Sequence, residues 1–400
     1  VAALGKDAVV GVVGAGAMGS GIAQVALRHG HAVVLADARP EAVDRAVAGI
    51  AKAFAREVEK GRMTEADAES ARGRLSVVRG VDDREAFAGS FGRCALVIEA
   101  VIEDLAVKRG TFERLEAVVP EDCALATNTS SLSVASIAGG CRRPARVLGV
   151  HFFNPAPVMP LVEIVPALTT EPAVVDSVRA LVDAWGKTTV LAADTPGFIV
   201  NRVARPYYGE SLRLLDEGVA DVATIDWAMR ELGGFRMGPF ELMDFIGHDV
   251  NFAVTRSVYE QTFHDPRYRP SLTQQRLVEA GRLGRKSGHG FYDHREGAAR
   301  PEPVRDEALG RAMLDRVLAM LVNEAFDAVH WRVASAADVE LAMTRGVNYP
   351  RGLIAWGERI GLAQVAATID ALRERYQEDR YRVSPLLRRA AADGASLLLA

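Results

Sequence analysis

A doubly wound α/β sheet followed by two tandem all-α domains is the fold class this 400-residue sequence predicts. Three observations predict it. Short apolar runs alternate with amphipathic helical stretches as far as residue 193. The alternation stops at Asp194-Thr195-Pro196-Gly197, and the residues beyond that break have a helical period. That helical part then repeats itself at an offset of 114 residues. The expected domains are 1–193, 194–297 and 305–400.

Taken in order, Ala8–Val13 is a continuous apolar run, as expected of a parallel strand covered on both faces. A helical pattern runs from Ile22 to Arg28, and a second strand, Ala32–Ala36, ends at Asp37. Residues 41–60 read as a long amphipathic helix. Ala95–Ile98 reads as a strand, with a helix over about 104–118. Further strands are expected at Ala124–Ala126, Arg146–Phe153, Leu161–Val165 and Thr188–Leu191, with a helix over about 172–185. Beyond the break, 197–218 reads as one long helix and 221–232 as a second. In the repeat, Arg202-Val203 meets Arg316-Val317, Glu210 meets Glu324, Gly238 meets Gly352 and Ile246-Gly247 meets Ile360-Gly361. Asp315 stands where Asn201 would be, so the second copy is expected to be structural and to mimic a partner subunit inside one chain.

Composition narrows the function. Half the residues are hydrophobic and a quarter charged, with a net charge of −4, which offers nucleic acid or an anionic membrane no attraction. No apolar run approaches a membrane span, and the first residues lack the pattern of a secretion signal. Cys94, Cys123 and Cys141 are odd in number and have no metal-ligand spacing, which suggests a reducing, cytoplasmic setting and no metal.

The most informative stretch is Gly14-Ala15-Gly16-Ala17-Met18-Gly19, which matches G-x-G-x-x-G between the first strand and first helix. Gly14, Gly16 and Gly19 permit a tight turn and let the backbone approach a pyrophosphate at the helix N-terminus. Asp37 lies where a carboxylate accepts both ribose hydroxyls of NAD, and its charge disfavours a 2′-phosphate. Arg39 nearby could receive such a phosphate, but the charge of Asp37 favours NAD. Along residues 41–74, Lys52, Arg56, Lys60, Arg62, Arg72 and Arg74 form either a solvated helix face or a landing for a phosphate-bearing substrate.

Two later segments carry the chemistry. Thr127 to Ser131 cluster small polar residues at a strand's carboxyl end, where open α/β sheets bind ligands, although capping the next helix is their commoner task. In HFFNPAPVMPLVEIV (151–165), His151 ends a strand, and Glu163 is a carboxylate inside an apolar run. An unpaired buried charge is costly, so Glu163 is expected to hold His151, fix its tautomer and raise its basicity.

GAGAMGSGIA (14–23), NTSSL (128–132), HFFNPAPVMPLVEIV (151–165), DTPGFIVNR (194–202), MGPFELMD (237–244) and GRKSGHGFYDH (284–294) together resemble the L-3-hydroxyacyl-CoA dehydrogenases, nearest the short-chain 3-hydroxybutyryl and 3-hydroxyadipyl type. The resemblance implies a catalytic base at His151 and an orienting carboxylate at Glu163. It also implies that Ser130 bonds the substrate's 3-oxygen and Asn201 places the substrate carbonyls. Asn128 and Glu103 match positions beside the nicotinamide. The family pattern lapses around 66–80, so CoA phosphate contacts are not assigned there. If the acyl chain ends in a carboxylate, Arg205 and Arg236 are candidate readers. The implied reaction is NAD-dependent oxidation of an L-3-hydroxyacyl-CoA to the 3-ketoacyl-CoA. The alternatives are a gulonate-type hydroxy-acid dehydrogenase and a non-catalytic crystallin-like protein.

Overall fold

Eight short strands, most of them runs of Val, Leu, Ile and Ala, form one sheet in the N-terminal unit of the computed structural model, which describes residues 4–81 and 84–398. In chain order this unit contains β1 (Val10–Val13), α1 (Ala17–Arg28), β2 (Val33–Asp37), α2 (Pro40–Glu59), α3 (Glu65–Gly73) and β3 (Leu75–Arg79). Next come α4 (Arg84–Phe91), β4 (Leu96–Glu99), α5 (Leu105–Glu116), β5 (Ala124–Thr127) and α6 (Val134–Ala138). It closes with β6 (Val147–Phe152), β7 (Leu161–Pro166), α7 (Pro172–Ala184) and β8 (Thr188–Leu191). The strand order is β3-β2-β1-β4-β5-β6-β7-β8. The order reverses between β1 and β4, which is where such sheets bind ligands at their carboxyl ends.

The strands from β3 to β6 are parallel, whereas β7 runs antiparallel to β6. Only residues 153–160 join those two strands, too few for the helical crossover a parallel pair needs. The register pairs His151 directly with Glu163. Strand β8 then pairs parallel to β7. Side chains of β1, β2, β4, β5 and β6 merge with α1, α2 and α7 in one apolar core.

Strand β3 and helix α4 do not stand out in the sequence. β3 is an edge strand with Ser76 and Arg79 exposed, so it lacks the apolar signature of its neighbours.

A second compact unit begins at Pro196. It comprises α8 (Val200–Val203), α9 (Arg205–Asp216), α10 (Val222–Trp227), α11 (Pro239–Ile246), α12 (His248–Gln261) and α13 (Leu272–Glu279). It continues with α14 (Glu307–His330), α15 (Ala336–Gly346), α16 (Leu353–Ile360), α17 (Leu362–Tyr376) and α18 (Pro385–Asp393). The expected single helix over 197–218 is broken. Phe198 has φ 47°, and α8 ends at Val203, with Ala204 as its C-cap ahead of Pro206, which has no N–H to carry the ladder through. The expected helix over 221–232 passes from α10 into a π-helical turn, Ala228–Leu232.

α14 lies at the centre of this unit, buried along most of its length and packed on α9, α16, α17 and α18. Its contacts with the first copy are reciprocal. Arg202 Nε sits 2.9 Å from Glu324, and its repeat counterpart Arg316 sits 2.9 Å from Glu210, the counterpart of Glu324. Tyr268 donates to Glu324 as Tyr381 does to Glu210, and Phe235 packs edge-on to its own counterpart Tyr349. Residue i touching j′ while i′ touches j is the pattern of a two-fold axis.

Candidate active site

The glycine loop shows why its glycines are needed. Gly14 has φ 106°, and a Cβ there would meet the Ala100 carbonyl oxygen at 2.4 Å. A Cβ on Gly19 would overlap the Gly14 carbonyl oxygen at 1.7 Å, so α1 packs on the loop backbone. Gly16 differs: it is exposed, and a Cβ added to it would meet nothing within 4 Å. It is also the N-cap of α1 and supplies no side-chain cap to the first N–H groups of the helix. Met18 packs on the apolar core behind the loop. Asp37 Oδ2 accepts the Ala15 N–H at 2.8 Å, and Oδ1 accepts the Arg39 N–H at 2.9 Å. A backbone cradle open at Gly16 and a carboxylate at the end of β2 fit a dinucleotide.

The carboxyl ends of β4, β5 and β6 carry a second group. Asn128 Oδ1 accepts the Phe152 N–H at 2.9 Å, which ties the end of β5 to the residue after His151. Glu103 gathers the adjoining loop: its Oε1 accepts Thr129 Oγ1 at 2.6 Å, Ser130 N at 2.9 Å and Ser131 N at 3.0 Å. Burial alone would raise the Glu103 pKa, but the Lys108 charge and these donors hold it below the usual carboxylate range. The Ser130 hydroxyl lies 3.4 Å from the same oxygen, a long contact that a better acceptor can displace. Glu103 therefore shapes the loop that presents Ser130.

Sequence reasoning missed the pair behind this loop. Glu99 and Lys108, 0% and 1% exposed at the side chain, meet at 2.8 Å. Glu99 also accepts from Thr127 Oγ1 at 2.7 Å and from Val101 N at 2.7 Å, so its charge is fully satisfied. An acid inside an apolar strand was the signal, the same one that marked Glu163. Asp194 was likewise read only as a break, yet it accepts Val134 N at 2.9 Å and Ala135 N at 2.7 Å at the start of α6.

His151 and Glu163 meet as cross-strand partners. His151 Nδ1 lies 2.7 Å from Glu163 Oε2, and both residues are buried. An ionised carboxylate only accepts, so Nδ1 carries the proton, and Nε2 is the ring's acceptor nitrogen. The Phe153 ring, centred 4.6 Å from the imidazole, flanks it. The N-terminal unit thus brings together Ser130, Glu103, Asn128, His151 and Glu163 at one end of the sheet. Asn201 belongs to the helical unit, on α8, half-buried.

Residues 9–195 match the family profile of the 3-hydroxyacyl-CoA dehydrogenase NAD binding domain, and residues 197–294 and 313–396 each match the 3-hydroxyacyl-CoA dehydrogenase C-terminal domain. The chain belongs to the 3-hydroxyacyl-CoA dehydrogenase family. It is 39% identical to the 3-hydroxyadipyl-CoA dehydrogenase of Escherichia coli K12, across 96% of this chain and 97% of that one. A probable 3-hydroxybutyryl-CoA dehydrogenase of Bacillus subtilis is 41% identical across 71% of this chain and 96% of its own. The crystal structure of 3-hydroxybutyryl-CoA dehydrogenase from E. coli K12 superposes with a TM-score of 0.88 at 38% identity, covering 96% and 98% of the two chains. As a family member the protein is an NAD-dependent oxidoreductase of 3-hydroxyacyl-CoA thioesters, and the doubly wound sheet with a helical C-terminal part is the fold the sequence predicted. No helix among the described residues is long and apolar enough to cross a membrane.

Proposed function

We propose that His151 is the general base of a reversible L-3-hydroxyacyl-CoA oxidation and that Glu163 holds it ready. The observation that carries this reading is the buried 2.7 Å pairing of Nδ1 with the carboxylate. His151 Nε2 takes the proton of the 3-hydroxyl as the C3–H bond breaks and C3–O becomes a carbonyl. NAD, when bound, accepts the hydride leaving C3. Glu163 stabilises the imidazolium that forms, and its position across the ladder keeps the ring from turning. Ser130 donates to the 3-oxygen, where charge develops, a contact typically worth about 3 kcal/mol. Asn201 orients the substrate carbonyls. Gly14, Gly16, Gly19 and Asp37 hold the dinucleotide, with Asn128 and Glu103 shaping the nicotinamide side. In the reverse direction His151 returns the proton.

The acyl group is short, in the range of the 3-hydroxybutyryl and 3-hydroxyadipyl groups named for the relatives. The helical copies act as an intrachain pseudo-dimer, supported by the reciprocal Arg202–Glu324 and Arg316–Glu210 pairs. Light scattering is expected to give one chain per particle. A cytoplasmic setting fits the three cysteines, none of which is in a disulfide.

The deciding experiment follows NADH absorbance with acetoacetyl-CoA for the wild type and His151→Ala. The wild type is expected to consume NADH, and the variant to be slower by roughly a hundredfold to ten thousandfold, the usual worth of a general base. A variant as fast as the wild type removes His151 from the mechanism.

A further inference from the structure

The segment between His151 and Glu163 cannot tie itself together. Residues 153–160, FNPAPVMP, include three prolines, which bring no N–H to the turn. The Val158 and Met159 N–H groups both go to the Pro155 carbonyl, at 2.9 and 3.0 Å, and the Pro160 carbonyl accepts the Thr188 N–H. That leaves the Ala156 and Met159 carbonyls to an outside donor. Lys187 supplies it: Nζ donates to Ala156 O at 2.6 Å and to Met159 O at 2.8 Å.

Lys187 had an easier alternative. A cavity of about 280 Å³ lies beside it, lined also by Arg28, His29, Pro157, Pro160 and Trp185. A lysine next to open space ordinarily keeps its ammonium in water. Lys187 is half-buried instead, and burial pushes its pKa down to about 8, with no neighbouring carboxylate among the described residues to offset it. Arg28, on the same cavity wall, has Glu57 at 3.1 Å. The ammonium of Lys187 has only the two carbonyls of the turn. Its backbone is fixed on both sides, because α7 ends through Trp185 and Gly186, with φ 70° at the glycine, and β8 starts at Thr188. Helix α1 also closes on the turn: a Cβ on Gly21 would meet Pro157 Cδ at 3.1 Å and Ala156 Cβ at 3.2 Å.

We infer that Lys187 is a positioning residue for the reaction: by holding the Ala156 and Met159 carbonyls it sets the turn that brings Glu163 against His151. The turn is the only direct connection from the end of β6, which carries His151, to the start of β7, which carries Glu163. Where it sits fixes how far Leu161 and the two residues after it lie from the end of β6. Phe153, the first residue of the turn, also flanks the imidazole. Lys187 touches neither His151 nor Glu163 and acts through the backbone between them. The inference rests on the proposed pairing of those two residues as base and orienting carboxylate.

The test is a double-mutant cycle read as kcat for acetoacetyl-CoA reduction by NADH. Lys187→Met is expected to lower kcat roughly tenfold to a hundredfold, as a displacement of up to about 1 Å at the reacting groups would. KM for NADH is expected to stay where it is, because the Gly14–Gly19 turn and Asp37 are untouched. Lys187→Arg keeps a charged donor and is expected to recover most of the loss. In the Glu163→Gln background, the change to Met is expected to cost less than about threefold, because the contact it protects is already weakened. Packing alone predicts equal losses in the two backgrounds, and that result, or an unchanged kcat in Lys187→Met, overturns the inference. If Lys187→Met does not fold, Lys187→Gln enters the same cycle and is judged by the same two results. Full activity in His151→Ala and Glu163→Gln would overturn the base reading as well. Slow turnover in those two with full activity in Lys187→Met overturns the positioning role alone.

Discussion

Replacing Glu163 by Gln tests the proposed His151–Glu163 pair without changing its shape. The carboxylate is fully buried and lies 2.7 Å from Nδ1, so solvent does little to screen it. In the transition state the imidazole gains a full charge, and charges about 4 Å apart attract by roughly 4 kcal/mol at an effective dielectric of 20. The amide oxygen keeps a neutral hydrogen bond worth about 1 kcal/mol. The net loss of about 3 kcal/mol corresponds to a fall in kcat of roughly a hundredfold to two hundredfold. A flipped amide would donate to Nδ1 and place the proton on Nε2, disabling the base and deepening the loss. Steady-state NADH oxidation with a 3-ketoacyl-CoA measures kcat, and KM is expected to move little because the carboxylate lies behind the ring. Retention of kcat within about threefold of the wild type would refute the argument that Glu163 stabilises charge on His151.

Gly16→Ala is expected to leave stability within about 0.5 kcal/mol, since the new methyl meets no atom, while weakening NAD at least about tenfold by blocking close approach; calorimetry and thermal unfolding together check both. Lys108→Met strands the buried Glu99 charge, and urea unfolding is expected to show a loss of about 3–5 kcal/mol. Burial pushes the Asp265 pKa up, but hydrogen bonds and charge from Arg267 outweigh it and bring the carboxyl down to about 2. A depressed acid stabilises the fold above its unfolded pKa and loses that contribution as pH falls from about 4 toward about 2. Asp265→Asn is therefore expected to be less stable than the wild type at neutral pH, with the gap narrowing across that acid range in denaturation curves.

The features legible in the sequence were local ones. The Gly14–Gly19 turn is specified by neighbouring residues and needs no distant contact to be recognised. Glu163 was legible because a charge in an apolar run demands a partner, and the proline-rich turn left His151 close in sequence to meet it. Glu99 and Lys108 obey the same rule, yet Lys108 sits on a helix among other charged residues, and nothing local marks it as the buried one. Glu103 matched a family position, but its organising role depends on hydrogen bonds across 26 to 28 residues of chain. β3 stayed hidden because an edge strand need not be apolar. The interruption of the helix at Ala204 had a visible cause in Pro206, but a helical period on both sides masked it.

The reciprocal Arg202–Glu324 and Arg316–Glu210 contacts lie within one polypeptide, and that alters how they respond to dilution. In a pair of separate subunits, the same contacts dissolve by mass action as protein becomes scarce. Here the connecting chain keeps the two halves at a fixed effective concentration, whatever the amount of protein in solution. The halves are also encoded separately. A substitution across a true two-fold axis is felt twice, but here Asn201 and Asp315 can differ, so one half is free to change while the other keeps its own residues.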